Sequence, residues 1–385
     1  MRDALSGKVK QIKPSGIRKF FDIVSEMDDA ISLGVGEPDF DTPWHIREEG
    51  IYSLEKGRTF YTSNAGLSEL KIEISKYLDR RFDLKYDPSD EIMITVGGSE
   101  AIDGALRAML DAGDEVILPQ PSYVSYEPCI VLADGVPVIV ELKEENDFKL
   151  TREQLEKAVT DKTKILIMPF PNNPTGAIMT KEELQPIVDF VIEHDLFVIS
   201  DEIYSELTYS GNHVSIGAFP GMKERTIVIN GFSKSYAMTG WRLGYACGPK
   251  VIIKQILKIH QFAIMCAPTT SQYAAIEALR HGDDDVEKMR DEYDRRRRFL
   301  LNAFDEMGIE CFEPYGAFYM FPSIKKFGMS SDEFATRLLK EEKIAVVPGT
   351  AFGDCGEGFL RISYAYSIDD LKAALERIGR FIEKL

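Results

Sequence analysis

TIVINGFSKSYAMTGWRLGYA, residues 226–246, carries an apolar run into a glycine and a lysine and ends on a second apolar run. The first run, Thr226–Ile229, is apolar and rich in β-branched residues, as is typical of a buried strand. The second run, Leu243–Ala246, is also largely apolar and is predicted to form another strand. The order of these features predicts that Lys234 lies just beyond the end of a buried strand, with Ser233 before it and Arg242 eight residues later.

The same alternation of apolar strands and amphipathic helices runs from about residue 90 to residue 260. Near-continuous Val/Ile/Leu strands joined by helices indicate a mostly parallel sheet that is covered on both faces. We therefore predict an α/β fold whose large domain holds a seven-stranded sheet. The other predicted strands are Ile92–Val96, Glu115–Leu118, Val136–Leu142, Lys164–Met168 and Phe197–Ser200, and the predicted helices include Ser99–Leu110, Lys181–His194 and Val251–Ile264.

The pattern changes after about residue 282. A long charged helix, Asp285–Met307, precedes short strands near Phe318–Phe321, Ile344–Val347 and Phe359–Ser363, and a last helix begins at Ile368. This order predicts a smaller α+β domain. We expect residues 1–45 to pack with it, residues 46–282 to form the large domain, and residues 283–385 to form the small one.

Composition excludes several classes of protein. The 385 residues carry a net charge of −17, which argues against nucleic acid as a general partner. Five scattered cysteines without a CxxC pair predict neither a disulfide framework nor a zinc site, and we expect no metal. The charged start MRDALSGKVKQI and the lack of a long apolar run predict no signal peptide and no membrane span. These features favour the cytoplasm.

Ligands of open parallel sheets bind beyond the carboxyl ends of the strands. Four predicted strands run into polar clusters, three of which contain Gly or Pro, so these clusters are expected at one edge of the sheet. They are GGSEA (97–101), PNNPTG (171–176), DEIY (201–204) and NGFSK (230–234).

Each candidate residue also has an ordinary interpretation. Most lysines are solvated, whereas a lysine that forms Schiff bases must be reachable and partly deprotonated, which burial near other cations can achieve. Arg242 suits fork-like binding of phosphate or an internal salt bridge. Ser99 in the Gly97-Gly98-Ser99 turn could help to bind an anion at a helix start, or could simply cap that helix.

Taken together, these motifs are similar to those of the class I/II aminotransferases of pyridoxal-5′-phosphate (PLP) fold type I, the aspartate aminotransferase superfamily, and especially of its prokaryotic branch. The resemblance runs from LGVGEPDF (33–40) to FLRIS (359–363). It includes FSKSYAMTGWR (232–242), NPTG (173–176) and VPGTAFG (347–353), in the order and at about the spacing found in the family.

The resemblance implies a ping-pong transfer of an amino group from an L-amino acid to a 2-oxo acid, with PLP bound to Lys234 as a Schiff base. Lys234 would also move the proton of the reaction. Asp201 would pair with the pyridine nitrogen, and Tyr204 would bind the phenolic oxygen together with Asn173. Tyr123 would stack on the ring. The residues expected to hold the phosphate are Gly98, Ser99, Ser233 and Arg242.

The resemblance also implies where the substrate and a second subunit bind. Arg361 would pair with the substrate α-carboxylate near Asn173 and Gly36, and Tyr123 would line the same pocket. Tyr61 would reach the phosphate of a neighbouring subunit, which implies a homodimer with shared sites. In the family, the peptide bond that corresponds to Asn173–Pro174 is often cis, and we expect the same here.

Two positions depart from the family pattern. Many relatives carry serine where this chain has Gly231, so Ser233 is expected to replace that phosphate contact. Aspartate-specific members of the prokaryotic branch often carry lysine where this chain has Ser99, so the resemblance does not indicate aspartate as the substrate.

Other functions fit less well. A β-C–S lyase would use the same lysine and aspartate, and a regulatory protein could bind PLP without turnover. The pair Gly34-x-Gly36 lacks the third glycine of a dinucleotide site. The basic run Arg295–Arg298 turns about 100° per residue on a helix and has acidic neighbours, so it does not indicate a nucleic-acid patch.

Overall fold

The computed structural model of the chain describes residues 3–14, 16, 27 and 29–385, so the predicted N-terminal segment 1–45 lies partly outside the described residues. Within the described part, the strands are β1 (Ile31–Ser32), β2 (Ile92–Thr95), β3 (Glu115–Gln120), β4 (Val136–Glu141), β5 (Thr163–Met168), β6 (Phe197–Asp201), β7 (Thr226–Gly231), β8 (Gly244–Cys247), β9 (Tyr319–Met320), β10 (Ile344–Ala345), β11 (Val347–Pro348) and β12 (Leu360–Ser363). The α-helices are α1 (Gly7–Gln11), α2 (Trp44–Glu55), α3 (Ser68–Phe82), α4 (Gly97–Met109), α5 (Tyr126–Leu132), α6 (Arg152–Ala158), α7 (Lys181–Glu193), α8 (Lys250–Ala263), α9 (Thr269–His281), α10 (Asp283–Glu306), α11 (Ser331–Glu342) and α12 (Ile368–Ile382).

The central sheet has seven strands in the order β2-β8-β7-β6-β5-β3-β4, which confirms the predicted sheet. All neighbours pair in parallel except β8, which runs antiparallel to both β2 and β7. The carboxyl ends of the six parallel strands therefore meet at one edge, and the amino end of β8 lies at that same edge.

Both faces of this sheet are covered. Successive strand residues point to opposite faces, and in β5 the side chains of Ile165 and Ile167 join a different hydrophobic cluster from those of Leu166 and Met168. Helices α4 and α8 pack together on the first of these faces, and α7 packs on the second. Burial on both faces explains why the strands are almost continuously apolar.

The part of the chain that comes after the large sheet forms most of a second layer of structure. Strands β11, β12 and β9 form an antiparallel sheet, and β1 pairs in parallel with β10. Its core is built from α10, α11 and α12 and includes Leu33, which brings residues near the amino terminus into this layer. Further upstream, Lys8 binds Asp134 next to α5 instead. The division into domains at residues 45 and 282 remains a prediction.

One predicted strand divides into two. The segment Ile344–Val347 was expected to be a single strand, but β10 and β11 belong to different sheets and are separated by Val346. β10 pairs with the amino-terminal strand β1, whereas β11 pairs with β12. Among the described helices, none has the length and apolar character needed to cross a membrane.

Candidate active site

A cavity of about 470 Å³ lies at the edge where the parallel strands end. Its wall contains every predicted site residue except Tyr61, whose side chain is 81% exposed outside it. Several residues that the sequence did not single out also line it, notably Glu37, Tyr126 and Tyr319. The predicted residues in the wall are Gly36, Gly98, Ser99, Tyr123, Asn173, Asp201, Tyr204, Ser233, Lys234, Arg242 and Arg361.

The direction of β8 explains how Arg242 joins this cavity. Arg242 precedes β8, and β8 is antiparallel to its neighbours, so its amino end lies beside the carboxyl ends of β2 and β7. Gly244 pairs with Thr95 on one side and with Gly231 on the other. The chain therefore leaves the sheet with Lys234 and returns to the same edge with Arg242.

The amine of Lys234 faces the cavity and donates a hydrogen bond of 2.6 Å to the Gly36 carbonyl oxygen. Burial lowers the pKa of this amine to about 8, because a charged ammonium is disfavoured away from water. The positive charges of Arg361 and Arg242 act in the same direction, and Glu37 opposes them. The amine is thus closer to its neutral, nucleophilic form at physiological pH than an ordinary lysine is.

The buried carboxylate of Asp201 lies at the end of β6. Tyr126 donates a hydrogen bond of 2.7 Å to its Oδ2, and the Ile203 amide donates one of 3.2 Å to its Oδ1. Burial raises the pKa of Asp201 to about 6, while these two hydrogen bonds act to lower it. The balance leaves a mostly ionised carboxylate near neutral pH, facing a cavity in which a cationic partner would be favoured.

Tyr204 and Tyr319 bring two separate parts of the fold together. Their hydroxyl oxygens lie 2.7 Å apart, and both rings are buried. Tyr204 follows β6 of the large sheet, whereas Tyr319 lies in β9 of the second layer. Burial raises the pKa of Tyr204 well above its usual value, so its phenol remains protonated and can donate a hydrogen bond.

Arg361, in β12, is a buried cation. Its Nη1 donates to Asn173 Oδ1 at 2.9 Å, its Nη2 donates to the Gly34 carbonyl oxygen, and its Nε has no protein partner among the described residues. The guanidinium lies 4.5 Å from the Tyr319 ring centroid and 4.8 Å from that of Phe352. Burying an unpaired charge is unfavourable, so this arrangement favours binding of a carboxylate from a ligand.

A third group of residues surrounds the start of α4. Gly97 has a φ of +77°, and a Cβ there would lie 2.7 Å from an Arg242 guanidinium nitrogen. Only glycine allows this close approach. Arg242 makes no ion pair among the described residues and donates only to its own turn, at Thr239 O, so the internal salt bridge considered for it is absent there. The helix start, the arginine and Ser99 together form a setting suited to an anion.

Ser99 does not cap this helix. The capping position is Val96, and Ser99 lies within the first turn, where it lines the cavity. The capping interpretation of Ser99 is therefore wrong. The amides of a first helical turn have no partner inside the helix, which leaves them available to an anion.

The position of Gly231 explains one departure from the family pattern. A Cβ at this residue would lie 3.0 Å from the Leu243 carbonyl oxygen and 3.1 Å from both Gly244 Cα and Ile203 Cδ1. A serine side chain would crowd the close approach of β7 and β8. Ser233, which is buried and lines the cavity, is the hydroxyl that this chain offers instead.

The prediction of a cis bond between Asn173 and Pro174 is wrong. The cis bonds of the described chain precede Pro121 and Pro171. The turn that contains Asn173 is closed by the preceding residue, since Asn172 Oδ1 accepts hydrogen bonds from the amide and the hydroxyl of Thr175. The trans bond is also the intrinsically preferred isomer before proline.

Comparisons with known proteins agree with this geometry. The family model described as aminotransferase class I and II matches residues 28–378. The chain is 54% identical to YugH, a putative aminotransferase of Bacillus subtilis, over the full length of both chains, and 47% identical to an aspartate aminotransferase of Pyrococcus abyssi, with 99% of each chain covered. A crystal structure of Pyrococcus protein A1 superposes with a TM-score of 0.97 at 47% identity and covers 99% of each chain.

The lowered pKa of Lys234 predicts unusual reactivity in the ligand-free protein. Because its amine loses its proton near pH 8, acetylation by a trace of acetic anhydride should rise with a midpoint near that pH. Lys250 is a suitable control, because its hydrogen bond with Asp90 raises its pKa above the ordinary value. Peptide mass spectrometry across a pH series measures both. A Lys234 midpoint at or above that of Lys250 would contradict the burial argument.

Proposed function

The chain belongs to the class I and II aminotransferase family and is a PLP-dependent aminotransferase, and from this premise we propose the roles of the residues around the cavity. The observation that supports the proposal most strongly is the position of Lys234, whose amine faces the cavity with a pKa near 8. Asp201 and Arg361 line the same space.

The cavity suits PLP in three chemically distinct places. The neutral form of the Lys234 amine suits the aldehyde, and the buried carboxylate of Asp201 suits the protonated pyridine nitrogen. The start of α4, with Gly98, Ser99 and the nearby Ser233 and Arg242, suits the phosphate. Tyr123 would stack on the ring, and Tyr204 with Asn173 would bind the phenolic oxygen. When bound, PLP supplies an aldehyde that condenses with amines and a protonated ring that withdraws electrons from the substrate α-carbon.

The protein residues then supply binding and proton transfer. Arg361 binds the substrate α-carboxylate, with Asn173 and the Gly36 backbone beside it, and so orients the α-carbon towards Lys234. The Lys234 amine would take the proton from the substrate α-carbon and would return a proton to the C4′ carbon of the cofactor. A base with a pKa near the working pH is the most effective for such a transfer.

Replacement of the proposed base should abolish turnover. Lys234→Ala removes both the covalent attachment and the proton carrier, so we expect kcat to fall about 10³-fold or more. The thermal unfolding midpoint should stay close to that of the wild type, because the side chain faces a cavity. Lys157→Ala, on an exposed helix face, is the matched control. Activity within a few fold of the wild type in Lys234→Ala would overturn the mechanism.

Replacement of Arg361 should act mainly on substrate binding. The fork to the α-carboxylate is present throughout the reaction, so Arg361→Ala should raise the KM for the amino acid about 100-fold with a smaller effect on kcat. Arg361→Lys keeps the charge but loses the forked hydrogen bonds. Its KM for the amino acid should therefore lie between those of the wild type and Arg361→Ala. Steady-state kinetics with unchanged KM in both variants would remove Arg361 from the site.

We also propose a homodimer in which Tyr61 reaches the cofactor phosphate of the neighbouring subunit. Phe60, Tyr61 and Phe262 are each more than four-fifths exposed. Hydrogen bonds from Thr269 Oγ1 to Phe60 O and from Asn64 Nδ2 to Met265 O join their segments. Exposed aromatic side chains on adjoining segments, here called the aromatic patch, are typical of a protein interface.

This proposal predicts a two-subunit mass for the wild type in analytical ultracentrifugation. Phe262→Asp places a charge in the patch and should shift the protein towards monomer, with loss of PLP. Ile192→Asp changes another partly exposed apolar residue, outside the patch, and should leave the dimer intact. A fully active monomeric wild type would contradict the proposal.

Two broader features complete the proposal. We propose a cytoplasmic location, which the five free cysteines support, because disulfides are rare in that compartment. We also propose that residues 46–282 form the PLP-binding domain and residues 283–385 a smaller domain that carries Arg361. The hydrophobic cluster around α10, α11 and α12, most of whose buried residues lie in 283–385, supports this division.

A further inference from the structure

Tyr126, at the start of α5, contacts two of the residues proposed to hold the cofactor. Its hydroxyl lies 2.7 Å from Asp201 Oδ2, and its ring packs edge-on against Tyr123 with 5.6 Å between the ring centroids. Tyr126 is 3% exposed and Asp201 is 7% exposed, so water does not readily replace this hydrogen bond. Both side chains also line the cavity.

The direction of this hydrogen bond is fixed by charge. Burial, together with the negative charge of Asp201, raises the pKa of Tyr126 well above its usual value, so the phenol keeps its proton and donates. The other titratable groups that act on Asp201 are Glu202, which raises its pKa, and Lys234, which lowers it. Burial is the larger effect, so the carboxylate depends on its two hydrogen bonds to remain charged.

We propose that Tyr126 is a positioning residue that keeps the Asp201 carboxylate ionised and fixes its orientation, so that it can pair with the protonated pyridine nitrogen of PLP. The inference rests on the proposed function of the cavity. The backbone amide of Ile203 holds Oδ1 and Tyr126 holds Oδ2, so the carboxylate cannot rotate freely. The edge-on contact with Tyr123 lets the same ring fix the orientation of the residue proposed to stack on the cofactor.

Tyr126→Phe tests this role because it keeps the ring and removes only the donor. In the apoenzyme, we expect the pKa of Asp201 to rise by about one unit, from about 6 towards neutrality. The pKa is measured by NMR of ¹³C-carboxyl-labelled aspartate. The dissociation constant for PLP at pH 7.5 should rise about tenfold, because a hydrogen bond to a charged group is lost. The KM for the amino acid should stay within about twofold, since Arg361 is untouched.

The control is Tyr86→Phe. Tyr86 is equally buried, and its hydroxyl has no partner among the described residues, but it lies outside the cavity wall. The Tyr86→Phe substitution should change neither the Asp201 pKa nor PLP affinity.

Incorporation of 3-fluorotyrosine at position 126 tests the opposite change, because its more acidic phenol is a stronger hydrogen-bond donor. We expect it to lower the Asp201 pKa, a direction that damage to the fold would not produce.

An unchanged Asp201 pKa and unchanged PLP affinity in Tyr126→Phe would overturn the inference while leaving the proposed function intact. A rise in the Asp201 pKa both in Tyr126→Phe and with 3-fluorotyrosine at position 126 would also overturn the inference. If the wild-type protein bound no PLP at Lys234, the proposed function itself would fail. The two failures are therefore distinguishable in a single set of measurements.

Discussion

The burial of unlike charges around one cavity underlies the rest of the structure. Lys234, Asp201 and Arg361 all lie where water is scarce. Burial lowers the pKa of Lys234 and Arg361 and raises that of Asp201, so in each case it favours the uncharged form. Each charge is only partly compensated by protein groups: a carbonyl for the lysine, two hydrogen-bond donors for the aspartate, and an amide oxygen and a carbonyl for the arginine. The cavity is therefore most stable when a ligand of complementary charge fills it.

The fold brings these groups together through strand direction. Parallel strands deliver Asn173, Asp201 and Lys234 at their carboxyl ends, and the single antiparallel strand returns Arg242 to the same edge. The second layer contributes Arg361 and Tyr319 across the cavity. In the proposed function, one layer would hold the cofactor and the other would bind the substrate carboxylate.

Much of this arrangement follows from local sequence. The apolar strand before Lys234 and the polar clusters after four strands predict both the sheet and the edge at which the residues meet. Tyr126 and Tyr319 are not found in this way, because neither is part of a cluster at the end of a strand. Tyr319 meets Tyr204 only because two distant segments pack together, and Tyr126 lies on a helix that no predicted boundary included. The split of Ile344–Val347 has a similar cause, since β10 depends on a partner more than 300 residues earlier in the chain.

The central claim is that Lys234 carries the cofactor, and it is tested most directly by trapping the bond. The protein is incubated with PLP, reduced with sodium borohydride, digested and analysed by peptide mass spectrometry. We predict that the phosphopyridoxyl group is found on the peptide that contains Lys234, at a stoichiometry close to one per chain. Modification of another lysine instead, or no modification at saturating PLP, would contradict the account.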